Sequence, residues 1–317
     1  MSNRTFVGID VSRDFLDVVV RPSGETLRVA YDGEGLTTLG EHLRELRPKL
    51  IVVEATGKLE GAVVAQLQIV GLTPVVVNPR QVRDFAKATG ELAKTDRLDA
   101  SILAHFAEAI RPKIRPLPDR QLQELCELVN RRRQVQKMRT QENHRLARTV
   151  SAEVRLRIEK HLVFLEDELD DIDTQLQHRI AGSPAWQADV NLYCQVPGIG
   201  RTLATAVVAQ LPELGSLSGR QLSKLVGVAP LADDSGLRAG KRRIWGGRSS
   251  VRTCLYLATL VAIQHNPPIR QAYQRLVSLG KPKKVAIVAC MRKLLVILNA
   301  MKRDGTGWAP QLAAARP

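Results

Sequence analysis

The sequence predicts an α/β domain at the N-terminus, a helical segment with coiled-coil spacing in the middle, and a mainly α domain at the C-terminus. Three observations carry this. Short apolar, Val-rich runs alternate with helical periodicity over the first eighty residues. A stretch with three prolines in eight residues, Arg111–Pro118, then interrupts the pattern and reads as an extended linker. Beyond it the apolar spacing is helical almost throughout. The expected divisions are 1–112, 113–182 and 183–317.

In the first part, Thr5–Val11 and Phe15–Arg21 read as strands, and Pro22-Ser23-Gly24-Glu25 is turn chemistry that returns the chain as a third strand, Thr26–Tyr31. Leu36, Leu39, Leu43 and Leu46 recur at helical spacing until Pro48. Leu50–Glu54 is a fourth strand, Leu59–Val70 a helix stopped by Gly71, and Pro74–Val77 a fifth strand. A three-strand meander followed by alternating helix and strand is the order of an RNase H-like (RuvC-like) fold; a doubly wound nucleotide-binding sheet would alternate from its start. Farther on, Ile158, Leu162, Leu165, Leu169, Ile172 and Leu176 alternate spacings of four and three. That is a coiled-coil seam, which an intramolecular helical hairpin would satisfy equally.

Charge narrows the function. The chain of 317 residues carries a net +15, unevenly spread. Residues 1–110 hold 13 basic against 15 acidic residues, a net of −2, and residues 111–317 hold 34 against 17, a net of +17. The second part is built to meet a polyanion. Aromatics are only 4%, which disfavours a base-stacking platform as the main recognition mode. Cys126, Cys194, Cys254 and Cys290 show no zinc spacing and no disulfide framework, which fits a reducing cytosol, in a prokaryotic cell at the nucleoid. Neither a leader nor a run long enough to span a bilayer is expected, so no membrane partner is.

Four carboxylates stand out. Asp10 interrupts the apolar strand Phe6-Val7-Gly8-Ile9-Asp10, and Glu54 ends Ile51-Val52-Val53-Glu54. A carboxylate on a buried strand is costly unless paired or metal-bound, and two on adjacent strands repel. Asp96 and Asp99 share a helix face at i, i+3. Asp96 alone reads as a residue favouring the helix N-terminus, and an ion-paired core is the lesser alternative for Asp10 and Glu54. Taken together, the four read as hard oxygen ligands for Mg²⁺, two ions bridging a phosphodiester.

Two loops complete the set. Pro197-Gly198-Ile199-Gly200 between helices is helix-hairpin-helix chemistry, in which Gly198, Gly200 and Arg201 would grip a phosphate; a tight turn without ligand is the alternative. Asp233-Asp234-Ser235-Gly236 opens a basic loop with Arg238, Lys241, Arg242, Arg243 and Arg248 as phosphate contacts. Ser235 before Gly is ordinary turn chemistry, with no histidine beside it as a base. Ser249 and Ser250 read as helix caps. Arg131, Arg132 and Arg133 open a basic rod expected to meet nucleic acid.

Gly8-Ile9-Asp10, Val53-Glu54-Ala55-Thr56-Gly57, Asn78-Pro79 and Lys94-Thr95-Asp96-Arg97-Leu98-Asp99-Ala100 resemble the RuvC-like domain of insertion-sequence transposases with an Asp-Glu-Asp-Asp tetrad. Residues from about Leu192 to Met301 resemble that family's C-terminal domain, where Val226-Gly227-Val228-Ala229-Pro230 followed by Ser235-Gly236 matches the segment with the catalytic serine. The resemblance implies Mg²⁺ on Asp10, Glu54, Asp96 and Asp99, and Ser235 as nucleophile on double-stranded donor and target DNA. It also implies a structured non-coding guide RNA and homodimers paired into tetramers. Ile244-Trp245-Gly246-Gly247-Arg248 departs from the Ser-Lys-x-Gly form of this loop, so only Arg248 is left to replace the lysine. Rival readings are a junction-resolving nuclease using water, an actin-like phosphotransferase and a non-catalytic nucleic-acid-binding protein.

Overall fold

The computed structural model describes residues 5–57, 59–91, 96–114, 119–232, 240 and 242–310, with the side chains of residues 96 and 97 outside that set. The chain forms two compact units, Met1–Leu117 and Pro118–Pro317.

The first unit is a mixed sheet covered on both faces. Strands β1 (Phe6–Val11), β2 (Phe15–Arg21) and β3 (Thr26–Ala30) form an antiparallel meander. Helix α1 (Gly33–Leu46) then crosses to β4 (Leu50–Glu54), and α2 (Glu60–Ile69) crosses to β5 (Val75–Val77), both strands parallel to β1. Helices α3 (Pro79–Ala88) and α4 (Asp96–Ile110) follow. The strand order is β3-β2-β1-β4-β5, the arrangement expected of an RNase H-like sheet. Local chemistry sets the helix starts: Asp32 accepts from Gly35 N at 2.8 Å before α1, and Asn78 from Arg80 N at 2.9 Å, with Pro79 opening α3.

Strand alternation sorts the core into two layers. Val7, Ile9 and Val11 of β1 join Leu16, Val18, Val20, Ile51 and Val53 under α1 and α2, where Leu39, Leu43, Val63 and Leu67 are buried. The opposite face carries Phe6, Leu50, Val52, Val75 and Val77, covered by Leu103, Phe106 and Ala107 of α4 and by Val82 of α3. On this face α4 comes down on Gly8: a Cβ there would lie 2.2 Å from Ala104 N and 2.4 Å from Ala100 O. Glycine is required because helix backbone occupies the place of a side chain.

The second unit is helical. Helices α5 (Arg120–Leu146) and α6 (Ala152–Ala181) form an antiparallel hairpin. Leu165, Leu169, Ile172 and Leu176 of the predicted seam share one buried cluster with Leu125 and Val135 of α5. This part of the seam is therefore filled from within the chain, because a five-residue connection returns α6 directly against α5. Near the hairpin tip Val154, Leu156, Val163 and Phe164 are exposed.

Next come α7 (Pro184–Cys194), α8 (Arg201–Gln210) and α9 (Gly219–Val226), the two-residue ribbon β6 (Pro230–Leu231) with β7 (Arg243–Ile244), and α10 (Ser249–His265), α11 (Pro267–Ser278) and α12 (Lys283–Asp304). The cluster that holds the hairpin continues through α8 and α10 to Met291, Leu294, Leu295, Leu298 and Met301 of α12, so residues 120–181 share the C-terminal core. Each such aliphatic side chain contributes roughly 1.5–3 kcal/mol on burial. Ser249 and Ser250 occupy the first turn of α10, whose N-cap is Arg248 with no side-chain cap hydrogen bond, so neither serine caps the helix. Among the described residues no helix is long and apolar enough to cross a membrane.

The Gly8 contact yields the first prediction. Gly8→Ala should lift α4 off β1 and lower unfolding stability by roughly 1–3 kcal/mol, the usual cost of overpacking. Urea denaturation of the two proteins measures it; an unchanged midpoint would show that α4 does not rest on β1.

Candidate functional site

The sheet sets the carboxylates in a row. Asp10, the penultimate residue of β1, stands directly opposite Asp17 of β2. The parallel register Ile9↔Val53, carried one residue farther, brings Glu54 beside Asp10 on the other flank. Cross-strand neighbours share a face, and Asp10 lies two residues from Gly8, so all three carboxylates are on the α4 side. Asp99 belongs to the opening turn of that helix, adjoining Ala100, whose carbonyl crowds Gly8. Asp10, Glu54 and Asp99 are half-buried and each has an interaction within the chain. Asp96 begins α4, and its side chain falls outside the described residues.

Asp17 is the member that sequence reasoning missed. It is buried, at 7% exposure, and its Oδ2 has no hydrogen-bond partner. Its only ion pair among the described residues is a long one, 3.8 Å to Arg28 Nε, and Arg28 also stacks over Phe15. Like charges directly opposed across strands destabilise, so a cation among these groups would relieve a cost that the fold itself creates. The donor chemistry fits a hard divalent ion. Among the described residues, however, no three acidic, histidine or cysteine side chains close around one point.

In the second unit a glycine clasp joins the end of α9 to the turn before α10. Gly227 (φ +77°) ends α9, and a Cβ on it would lie 2.2 Å from Gly246 O; a Cβ on Gly247 (φ +67°) would lie 2.4 Å from Gly227 N. Two backbone segments thus touch without side chains between them. Arg252 ties them together, donating to the carbonyls of Val226 at 3.2 Å and of Gly246. The β6–β7 ribbon continues from this clasp, with Arg243 opposite Leu231. Ser235, Arg238 and Lys241 lie outside the described residues; Arg242 and Arg243 are exposed at the ribbon.

The glycines of the α7–α8 turn have different roles. Gly198 (φ +97°) lets the turn rest on α10, since a Cβ would lie 2.5 Å from Ala262 Cα. The buried Asn266 donates to Pro197 O at 3.3 Å and fixes the turn from the other side. Gly198 therefore serves packing. Gly200 is exposed with nothing within 4 Å of a Cβ, at the N-cap of α8, where free backbone N–H groups face outward.

Three of the expected phosphate contacts have partners inside the chain. Arg131 bonds Glu168 at 3.1 Å, and Arg132 holds Asp173 with two bonds of 2.6 and 2.9 Å, which raise the pKa of its half-buried guanidinium. Arg248 forks onto Glu213 at 2.5 and 2.6 Å and donates to Gln210 O at 2.8 Å. The acidic stretch Glu166–Asp173 thus neutralises one side of the basic rod. Arg133 and Arg201 escape this. Neither has an ion pair among the described residues, and both line one pocket of about 270 Å³ with Thr202 and Thr205. Cys254 lines the same pocket, but burial pushes its thiol pKa up despite Arg132 and Arg133 nearby, so it offers no thiolate.

A row of carboxylates in the first unit and, in the second, arginines with no ion pair among the described residues both suit an enzyme that handles nucleic-acid phosphodiesters. Comparison with known proteins makes the class specific. A family model described as a transposase, of the Asp-Glu-Asp-Asp IS110 type, matches residues 7–152. A second, described as the transposase IS116/IS110/IS902 family, matches residues 190–274. Together they span well over half of the sequence, and the chain belongs to the IS110 family of transposases, enzymes of DNA recombination. Among curated relatives it is similar to a pilin gene-inverting protein of Moraxella bovis, 26% identical over 95% of this chain and 97% of that one. It is also similar to an IS900 insertion-element protein of Mycobacterium paratuberculosis, 29% identical over 52% of this chain and 41% of that one. A Thermus thermophilus RuvC structure is similar at 18% identity over 36% of this chain and 84% of that one, with a TM-score of 0.22.

The geometry of these charges sets the expected behaviour of three variants. Asp17→Asn should raise stability by roughly 0.2–1 kcal/mol in EDTA, because it removes one like charge from the row, and should shrink the stabilisation that added Mg²⁺ confers. Thermal melts with and without Mg²⁺ read both effects, and a variant destabilised in EDTA would refute the repulsion. Arg132→Ala should cost about 1–2 kcal/mol through the unpaired Asp173. Arg133→Ala should leave the melt unchanged and flatten the salt dependence of DNA binding by about one phosphate's worth. The opposite pattern in the two arginine variants would reverse the roles assigned to them.

Proposed function

We propose that this transposase cuts and rejoins DNA through a covalent intermediate on Ser235, and that Asp10, Glu54, Asp96 and Asp99 hold the Mg²⁺ that the reaction needs. The observation that carries the reading is the strand register that sets Asp10 beside Glu54 under the first turn of α4. Mg²⁺ bound there would neutralise the non-bridging oxygens and polarise the phosphorus.

The chain's own groups account for the rest. The Ser235 hydroxyl loses its proton as its Oγ–P bond forms, and the departing strand oxygen takes up a proton as its P–O bond breaks. A hydroxyl of another strand then reverses the exchange, restoring the serine and sealing the new strand. Bond energy is kept in the phosphoserine, so rejoining needs no ATP. Arg242 and Arg243, exposed at the ribbon, and Arg238 and Lys241 on the same loop, would steer the phosphate. Arg133, Gly200 and Arg201 would hold DNA backbone farther away without reading sequence. Similarity to gene-inverting proteins over nearly the whole chain supports a reaction that rejoins what it cuts.

Family resemblance extends the proposal to a structured non-coding RNA that selects donor and target DNA, and to dimers paired as tetramers. The exposed Val154, Leu156, Val163 and Phe164 near the hairpin tip supply apolar surface that self-association would cover.

The decisive test incubates labelled element-end DNA, with any RNA encoded beside the gene, and resolves protein–DNA adducts on a denaturing gel. Wild type with Mg²⁺ should yield an adduct. Ser235→Ala should yield neither adduct nor cleavage, and Asp10→Asn should lose at least about a hundredfold in rate. Cleavage that persists in Ser235→Ala would identify a water-using nuclease instead.

A further inference from the structure

The second unit contains a groove of about 960 Å³, at the upper end of the roughly 300–1,000 Å³ range of ligand pockets. Its walls are α10, α11 and α12, and one end is closed by the β6–β7 ribbon at the base of the serine loop. Two features of its lining decide what it fits.

The first is charge. Seven cations line the groove and, among the described residues, no carboxylate does. Arg252 is engaged with backbone carbonyls. Arg242, Arg243, Arg275, Lys284 and Arg292 are exposed and have no ion pair among the described residues. The second is the floor, which is aliphatic: Leu257, Leu276, Val285, Val288 and Ile297, with Tyr256 at its side. Leu257 and Val285 are 59% and 53% exposed, a large apolar area for a surface facing water.

A DNA duplex matches only half of this. Its convex backbone would satisfy the cations, but its bases are stacked inside and leave the apolar floor wet. An acidic protein segment would also meet the rim, but nucleic acid brings a charge at every residue together with a flat ring whose faces are apolar. We infer that the groove binds unpaired nucleotides of a single strand, with phosphates on the Arg242–Arg243 and Arg275–Lys284–Arg292 rims and bases against the aliphatic floor. This deepens the function proposed above by giving an unpaired strand a place at the ribbon that flanks Ser235 in sequence, and the binding it describes requires no cleavage. The low aromatic content is consistent: base burial here rests on aliphatic side chains and one tyrosine rather than on a stacking platform.

The test is fluorescence anisotropy on the full chain in EDTA, so that failure of the proposed chemistry cannot affect it. The probes are a short single-stranded DNA, the same sequence as RNA, its duplex, and the DNA with consecutive abasic sites. Wild type should bind the single strand roughly tenfold more tightly than the duplex, and abasic sites should remove most of that difference. Val285→Glu and Ala289→Glu are exposed changes one helical turn apart on α12. Each should weaken single-strand binding roughly tenfold and duplex binding no more than about twofold. An RNA preference assigns the groove to an RNA strand, and a DNA preference to an opened or cut DNA end; both support it. Equal binding of single strand, abasic strand and duplex overturns the inference. So does a shift of either variant from oligomer to monomer in sedimentation, which would make the groove a protein interface.

Discussion

The first unit rests on one contact, the backbone of α4 against the backbone of β1 at Gly8. A strand and a helix meet this closely only where the strand has no side chain. The contact fixes the height of α4 above the sheet, and with it the distance from the helix's first turn to the strand-end carboxylates two residues beyond the glycine. The sheet register supplies the other coordinate, since Asp17, Asp10 and Glu54 occupy one rung. Three acidic side chains share that rung, and the apolar layers on both faces hold it in place.

The second unit uses the same device twice more. Gly198 rests on Ala262, and Gly227 and Gly247 rest on each other, so the α7–α8 turn and the base of the serine loop are placed by backbone contact. Segments anchored this way give the residues that follow them a rigid base.

Excess positive charge is not uniformly available. Along α5 much of it is neutralised by α6, through Arg131–Glu168, Arg132–Asp173 and Arg139–Glu166, so that part of the rod is structural. In the groove between α10, α11 and α12, by contrast, Arg242, Arg243, Arg275, Lys284 and Arg292 have no ion pair among the described residues. Net charge announces a polyanionic partner, and the distribution of counter-charges decides where that partner sits.

What the sequence determined by itself was local: strand and helix periods, the change of charge after residue 110, and the positions of Asp10 and Glu54 at strand ends. Each is encoded within a few residues, where alternation or helical spacing is readable directly. The tertiary structure decided what depends on distant pairs. Asp17 looked like an ordinary strand residue until the register set it opposite Asp10, and Gly198 looked like a phosphate grip until α10 lay against it. Arg248 read as a free cation, but Glu213, thirty-five residues earlier, neutralises it. Contacts across such separations follow from packing, which no short window of sequence contains.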